Sequence, residues 1–521
     1  MYPWAKVGDH QLVRMVLKRN TKAMKKILIP VLVLCLAFQV PLSAKVVMPV
    51  LFGDGMVLQR DMPLHIFGQA SEGAEITVSL NDQRKTGVVQ KGKWELSLEA
   101  MPAGGPYEMH ISGDGEELVY RDVMLGEVWL AGGQSNMALP LQNHIDFEKH
   151  LPEKENPGLR FIQIPVTEHG EIDRAGLEWK YFDRESVRTF SAVAYFFATE
   201  LQKRLGVTVA VIGSYRGGTW NENWMTPESI KNEPELKYLF DNYDKEYAKF
   251  KDEAAYEEAY HLFLADLTIW QENGGWSSGP RPMAPMGPKA YQRPSGLYNC
   301  MIRPLQPYSI KGCIWYQGEG NSARHEEFRT LFPAFVEGWR KSWQQADLPF
   351  YFVQLPGYGK GTSWPQFRQA QFDCFQKIDH CGMVVSEGCN DEEDIHPKMK
   401  KPIGDRLAMA ISAEVYGQDH IPYGPVFSSV EFRKGKAKVQ FDYSGRGLVL
   451  RPDDGGSFEI AGADEEFKTA AVRLKKDGLL LSNKKIKEAK YLRYAFSPNP
   501  AMVLFNQEGL PASPFTTESQ K

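Results

Sequence analysis

Cysteine is scarce in this chain, six in 521 residues, and no two of them stand in a CxxC spacing. That excludes a disulfide-built scaffold and a thiolate zinc cluster. Charge of one sign is also missing. Lys and Arg number 61 against 65 Asp and Glu, for a net charge of −4, and no strongly basic cluster occurs. Nothing here offers the electrostatic footprint that nucleic acid requires. Long apolar runs are absent too. The longest, ILIPVLVLCLAF, has a dozen residues, short of the ~20 that a membrane-spanning helix needs. Internal repeats are lacking, which excludes solenoids and propellers.

What is present reads as a folded protein of several domains. The chain is too long for one ordinary core, and 43% of it is hydrophobic. The 12 Trp would suit sugar-stacking surfaces but are first of all core material. The apolar dozen follows Met24-Lys25-Lys26 and precedes Pro41-Leu42-Ser43-Ala44. A basic start, a short apolar centre and a small residue at the exit predict a secretory signal. Residues 1–44 are therefore expected to be a leader starting in truth at Met24 and cleaved near Ala44. Leu34, bulky before Cys35, argues against a lipid anchor. The mature chain is expected to be exported, periplasmic or secreted, with five cysteines whose commonest role is as small buried apolar residues.

From 45 to 122, short runs such as LHIFGQ, EITVSL and KWELSL are separated by Gly, Asp and Pro, which predicts an antiparallel β-sandwich. From 123 to 416 the grammar changes. EVWLA, VTVAVIG, GCIWY, PFYFVQL and GMVVS alternate with helical patterns such as AVAYFFATELQKRL, FRTLFPAFVEGWRKSW and PIGDRLAMAISAEV. Such alternation predicts βαβ units, a parallel sheet, and ligands at the carboxyl ends of its strands. A charged, aromatic stretch at about 227–284 reads as a helical insertion, a packed hairpin in preference to a lid. Strand-like runs return over 417–521, predicting a small C-terminal β-domain.

The polar clusters fall at the predicted strand ends. After EVWLA comes GGQSNM, with Ser135 following two glycines. A serine there is ordinarily a helix cap, and Met137 breaks the G-x-S-x-G pattern. Serving as a nucleophile would require a base and donors to a developing oxyanion. His396 follows a strand-like run and an acidic loop, DEEDIHP, and Pro397 keeps it out of a helix. Glu393 and Asp394 are local candidates to orient its imidazole. A metal site on Asp391, Glu392, Asp394 and His396 is disfavoured, because adjacent side chains of an extended segment point opposite ways. Gly217-Gly218-Thr219 and Gln317-Gly318-Glu319-Gly320-Asn321 each follow a strand. Each alone reads as a turn; together they supply an N–H and an amide suited to an oxyanion hole.

GGQSNM, GSYRGGTWNENWM, IWYQGEGN and DIHPKMKKPIGDRLA resemble the SGNH-type carbohydrate esterases, closely the sialate O-acetylesterase family. FGDGMVLQRDMPLHIFG, RPSGLYNCMIRPL and VLFNQEGLPASPF extend the likeness over nearly the whole expected mature chain. The resemblance implies a three-layer α/β/α domain with a parallel sheet, flanked by the two β-domains. It also implies metal-free, cofactor-free removal of acetyl groups from sugar hydroxyls by a serine-dependent ester hydrolase. Carried over by motif, Ser135 is the nucleophile and His396 the base. The Ser135 amide, Gly217, Gly218 and Gln317 are oxyanion donors. For the third member the family commonly places an Asp three residues before the His; here Glu393 stands there. Glu393 is thus the first expectation, with Glu319 and Asp394 as contenders. Asn321 lies near the family's polar block, although Gly320 departs from a usually larger residue.

The expected partner is an acetylated sugar or glycan, most closely O-acetylated sialic acid. An acetyl-xylan or plant-glycan esterase is the alternative within enzymes, and a non-catalytic carbohydrate-binding protein the alternative outside them.

Overall fold

Alternation decides the N-terminal part: in LHIFGQ and EITVSL the fully buried side chains fall at every second position, the period of a strand with one face on a core. A computed structural model of the chain describes residues 45–518 apart from 362, 387, 390–392, 453–455 and 477. It gives six strands there: β1 (Val57–Gln59), β2 (Leu64–Gln69), β3 (Glu75–Leu80), β4 (Gln83–Val88), β5 (Lys93–Leu98) and β6 (Gly104–Gly113). β2 and β5 pair antiparallel as one sheet, and β3 pairs antiparallel with β4 and β6 in another.

The next strand, β7 (Glu116–Gly133), runs for 18 residues. With β8 (Asn156–Gln163), β9 (Lys180–Phe182), β10 (Val209–Tyr215), β11 (Gly312–Tyr316), β12 (Phe350–Gln354) and β13 (Cys381–Val385) it builds the main sheet, in the order β13-β12-β11-β7-β10-β8-β9. Every neighbouring pair in this row is parallel except β8 with β9. β10, β11 and β12 are buried at every position, as strands covered on both faces must be. Residues 116–125 of β7 pair antiparallel with β6, whereas 127–133 pair with β10. The domain boundary expected between 122 and 123 thus falls inside one continuous strand.

Among the described residues, eight α-helices accompany these strands: α1 (Ser135–Ala138), α2 (Ala192–Leu205), α3 (Pro227–Asn232), α4 (Tyr238–Tyr247), α5 (Glu253–Glu272), α6 (His325–Trp343), α7 (Ser363–Lys377) and α8 (Lys401–Glu414). α2 begins where Ser191 accepts the Ala194 N–H at 3.1 Å and ends at Gly206, φ +70°, a strong start and stop. It packs closely on α8, since a Cβ at Gly404 would lie 2.5 Å from the Phe196 Cβ. The two faces of the sheet are told apart by tryptophans. Trp129 pairs in register with Gly312, and Trp315 with Gly132, so the two indoles stand on opposite faces. Trp129 meets Phe197 of α2, and Trp315 meets Phe335 and Trp339 of α6. Helices therefore cover both faces, giving α/β/α layers.

The helical insertion has a small core of its own around Tyr256, Tyr260 and Phe263. After α8, antiparallel strands return in two four-stranded sheets, one built on Val426–Arg433 and Lys436–Asp442, the other on Phe458–Ala461 and Tyr491–Tyr494. The described residues from Val46 onward form one compact unit. Its five cysteines form no disulfide with one another, and four of them are buried. Among the described residues no helix is long and apolar enough to cross a membrane. The expected leader, 1–44, lies outside the described residues.

Candidate active site

The segments that follow β7, β10 and β13 converge on one cleft. β7 ends at Gly133, whose φ is +133° and whose α-hydrogen faces the Tyr316 carbonyl; a Cβ there would stand 2.2 Å from that oxygen. Only glycine lets the chain turn sharply at this point. Gln134 then occupies the N-cap of α1, without a side-chain capping bond, and Ser135 is the first helical residue. Ser135 is therefore not the cap. Its amide, in the first turn, has no intrahelical acceptor, and its Oγ lies 2.8 Å from His396 Nε2. Ser135 and His396 line an open cleft of about 790 Å³ together with Leu139, His144, Gly217 and Lys398.

Past the end of β10, the backbone at Gly217 rests on the serine: a Cβ on Gly217 would lie 3.2 Å from the Ser135 Cβ. Gly218 turns the chain with φ +69°. This turn is braced by Arg216. Its backbone N–H donates to Gly133 O at 3.1 Å, and its Nη1 donates to Gly217 O at 2.5 Å. The same guanidinium stacks on Tyr291, 3.3 Å from the ring centroid, and is held by the Glu168 carboxylate.

The acid beside His396 is Asp394. Its Oδ1 accepts the His396 backbone N–H at 2.8 Å and lies 3.6 Å from Nδ1 of the ring. The first expectation, Glu393, is corrected: its side chain is exposed, while its neighbour takes the place next to the imidazole. In a tight Asx-type turn the shorter carboxylate two residues back reaches the backbone N–H and the ring together. Glu319 is corrected as well, because its carboxylate receives Asn136 Nδ2. Burial lowers the His396 pKa below the usual histidine value, with Lys400 adding to this and Asp394 opposing it. A neutral imidazole, able to accept a proton, is thereby favoured at neutral pH.

Gln317 and Asn321 do not serve as the sequence suggests. Gln317 is 2% exposed, and its Nε2 donates to Thr219 O at 3.2 Å and to Asn321 Oδ1 at 2.8 Å. Asn321 also accepts the Asn221 N–H and donates to Glu222. Gln317 spends both of its amide hydrogens in bracing the 219–222 turn from behind, and Asn321 commits its oxygen and one N–H to the same brace. Gly320 has its own reason to be small, since a Cβ would stand 2.6 Å from Thr219 O. Of the disfavoured metal ligands, Asp391 and Glu392 lie outside the described residues.

Sequence reasoning missed three residues within the motifs it quoted. Asn136, directly after the serine, is 0% exposed. Its Nδ2 donates to the Glu319 carboxylate and, at 2.9 Å, to Ile395 O, while its Oδ1 accepts Lys400 Nζ at 2.5 Å. Lys400 is fully buried, its pKa lowered to about 8 by burial against the pull of Cys389, Glu319 and Asp394. Burial likewise raises the Glu319 pKa. Arg216 is the third. An Asn directly after the candidate nucleophile, an Arg at a strand end and a Lys close behind the candidate base were the available signals.

A parallel sheet covered on both faces, with a polar cleft holding Ser135 and His396 at the carboxyl ends of its strands, puts the chain in the class of three-layer α/β/α proteins that carry their site at that end of the sheet. Comparison with known proteins narrows this. Residues 282–413 match the family described as carbohydrate esterase, sialic acid-specific acetylesterase. A crystal structure of a carbohydrate acetylesterase from Xanthomonas citri superposes with a TM-score of 0.75 at 32% identity, covering 91% of this chain and 100% of that one. The sialate O-acetylesterase of Mus musculus is 26% identical over 463 residues, 78% of this chain and 80% of that protein. That of Rattus norvegicus is 26% identical over 452 residues, again 78% and 80%. The chain belongs to the sialate O-acetylesterase family of carbohydrate esterases.

Proposed function

We propose that this esterase removes acetyl groups from sugar hydroxyls, with O-acetylated sialic acid as substrate, by two-step acyl transfer through Ser135, His396 and Asp394. The observation that carries this reading is the 2.8 Å contact of Ser135 Oγ with His396 Nε2 in an open cleft. His396, kept neutral by burial, accepts the serine proton as Oγ attacks the acetyl carbonyl. The negative oxygen that develops is met by the Ser135 amide and an N–H of the Gly217–Gly218 turn. His396 then protonates the departing sugar oxygen. Water, deprotonated by the same imidazole, hydrolyses the acetyl-enzyme. Asp394 steadies the imidazolium formed in each half. The sugar is named on the family resemblance, the mouse and rat relatives being sialate O-acetylesterases.

Purified protein and Ser135→Ala are to be compared on a chromogenic acetyl ester, followed by acetate release from O-acetylated sialic acid and from acetyl-xylan. Activity in the parent alone supports the nucleophile. Equal activity in both removes Ser135 from the mechanism, and none in either points to a binding protein. Faster release from acetyl-xylan would replace the sialate assignment with a plant-glycan one.

A further inference from the structure

Two buried opposite charges lie just behind the Ser135–His396 pair, and they do not touch each other directly. The Lys400 ammonium and the Glu319 carboxylate are bridged by the side-chain amide of Asn136, which offers its oxygen to the cation and an N–H to the anion. Its second N–H goes to the Ile395 carbonyl, the peptide immediately before His396. The orientation of the amide is unambiguous, since rotating it by half a turn would set its oxygen against two acceptors and its NH₂ against an ammonium. Lys400 Nζ also sits over the Tyr316 ring, 5.1 Å from its centroid. One amide therefore grips the 395–400 segment at both ends, and His396 lies between the grips. Its own chain position, next to Ser135, ties that grip to the serine.

We infer that Asn136, with the Lys400–Glu319 pair it bridges, is a positioning residue that holds His396 at hydrogen-bond distance from Ser135. The inference rests on the reading of Ser135 and His396 as nucleophile and base. Buried charges that lose their partner are costly, so this arrangement resists rotation of Asn136 and with it any drift of the histidine loop. Misplacing a base by about 1 Å costs on the order of 10²-fold in rate.

The test uses the full chain and a chromogenic acetyl ester. Asn136→Ala is expected to lower kcat about 10²-fold with KM changed less than about 3-fold, the split expected of misplaced machinery rather than lost substrate binding. Asn136→Asp keeps the shape and still accepts from Lys400, but it cannot donate to Ile395 O; the same loss of kcat is expected. Glu319→Gln keeps an acceptor for Asn136 and should stay within about 10-fold of the parent. Melting curves establish that each variant is folded. The inference is overturned if a folded Asn136→Ala or Asn136→Asp keeps kcat within about 3-fold, or if neither variant folds, which would make the network a folding element only. It is also overturned if Glu319→Gln loses more than about 10-fold and as much as Asp394→Ala or more, since Glu319 would then serve the imidazole as its acid. Failure here with an inactive Ser135→Ala leaves the esterase mechanism standing, whereas an active Ser135→Ala removes both.

Discussion

Removing the carboxylate of Asp394 tests the electrostatics of the site directly. Asp394 Oδ1 stands 3.6 Å from His396 Nδ1, with the two side chains 45% and 44% exposed. Two unit charges about 4 Å apart attract by about 1 kcal/mol in water and about 4 kcal/mol at an effective dielectric constant of 20. At this exposure the lower figure governs, as for surface ion pairs. About 1 kcal/mol corresponds to somewhat less than one pKa unit and to a 5- to 10-fold change in rate. The sign follows from the charge. Asp394 favours the imidazolium and raises the His396 pKa against burial, so Asp394→Ala lowers that pKa further. The acidic limb of the kcat/KM profile, which reports the free-enzyme base, should move to lower pH by up to about one unit. The plateau should fall roughly 10-fold, and up to about 10²-fold where loss of the Asx turn also loosens the loop. Rates of acetyl-ester hydrolysis measured from about pH 4 to 9, with Glu393→Ala beside it, decide the matter. A limb that stays put or moves upward, or a larger effect in Glu393→Ala, refutes the argument.

Two further outcomes follow from contacts already described. Gly217→Ala places a methyl 3.2 Å from the Ser135 Cβ, so the serine must shift by a few tenths of an ångström; kcat/KM should fall about 10-fold with about 1 kcal/mol lost in urea unfolding, and an unchanged rate would refute the contact. His144 is 4% exposed, its pKa lowered to about 4 by burial, with His150 adding to this. The unfolded chain therefore takes up a proton between about pH 6.5 and 4 that the folded chain refuses, and stability falls as pH drops through that window. Between pH 7 and 5 the parent should lose up to about 2 kcal/mol more than His144→Gln; equal losses would contradict the assignment.

Periodicity carried most of the architecture into view. AVAYFFATELQKRL is α2 residue for residue, and GCIWY is β11, because buried strands and capped helices leave local signatures. Ser135 and His396 were legible for a related reason: Ser135 follows directly on the end of β7, and His396 lies in the loop between β13 and α8. The rest of the site was not. Asn136 touches residues 183, 259 and 264 positions away, and nothing local marks a side chain whose partners are all distant. Gln317 and Asn321 misled in the opposite sense. Their residue types suit an oxyanion hole, but what an amide can donate depends on which acceptors already hold it. Glu393 and Asp394 differ by one position, and choosing between them needs the turn geometry that an extended-chain reading lacks.

The unbroken course of β7 has a consequence for how this enzyme can be divided. One half of the strand is a member of the N-terminal antiparallel sheet, and the other half is the central beam of the layer that carries Ser135. No cut near residue 122 separates a self-sufficient catalytic portion, since it would leave a strand stump where the beam is anchored and strip β6 and β1 of their partner. The two regions are thus one cooperative mechanical unit. Load, heat or mutation applied to the outer sheet acts on the same backbone that leads into Ser135.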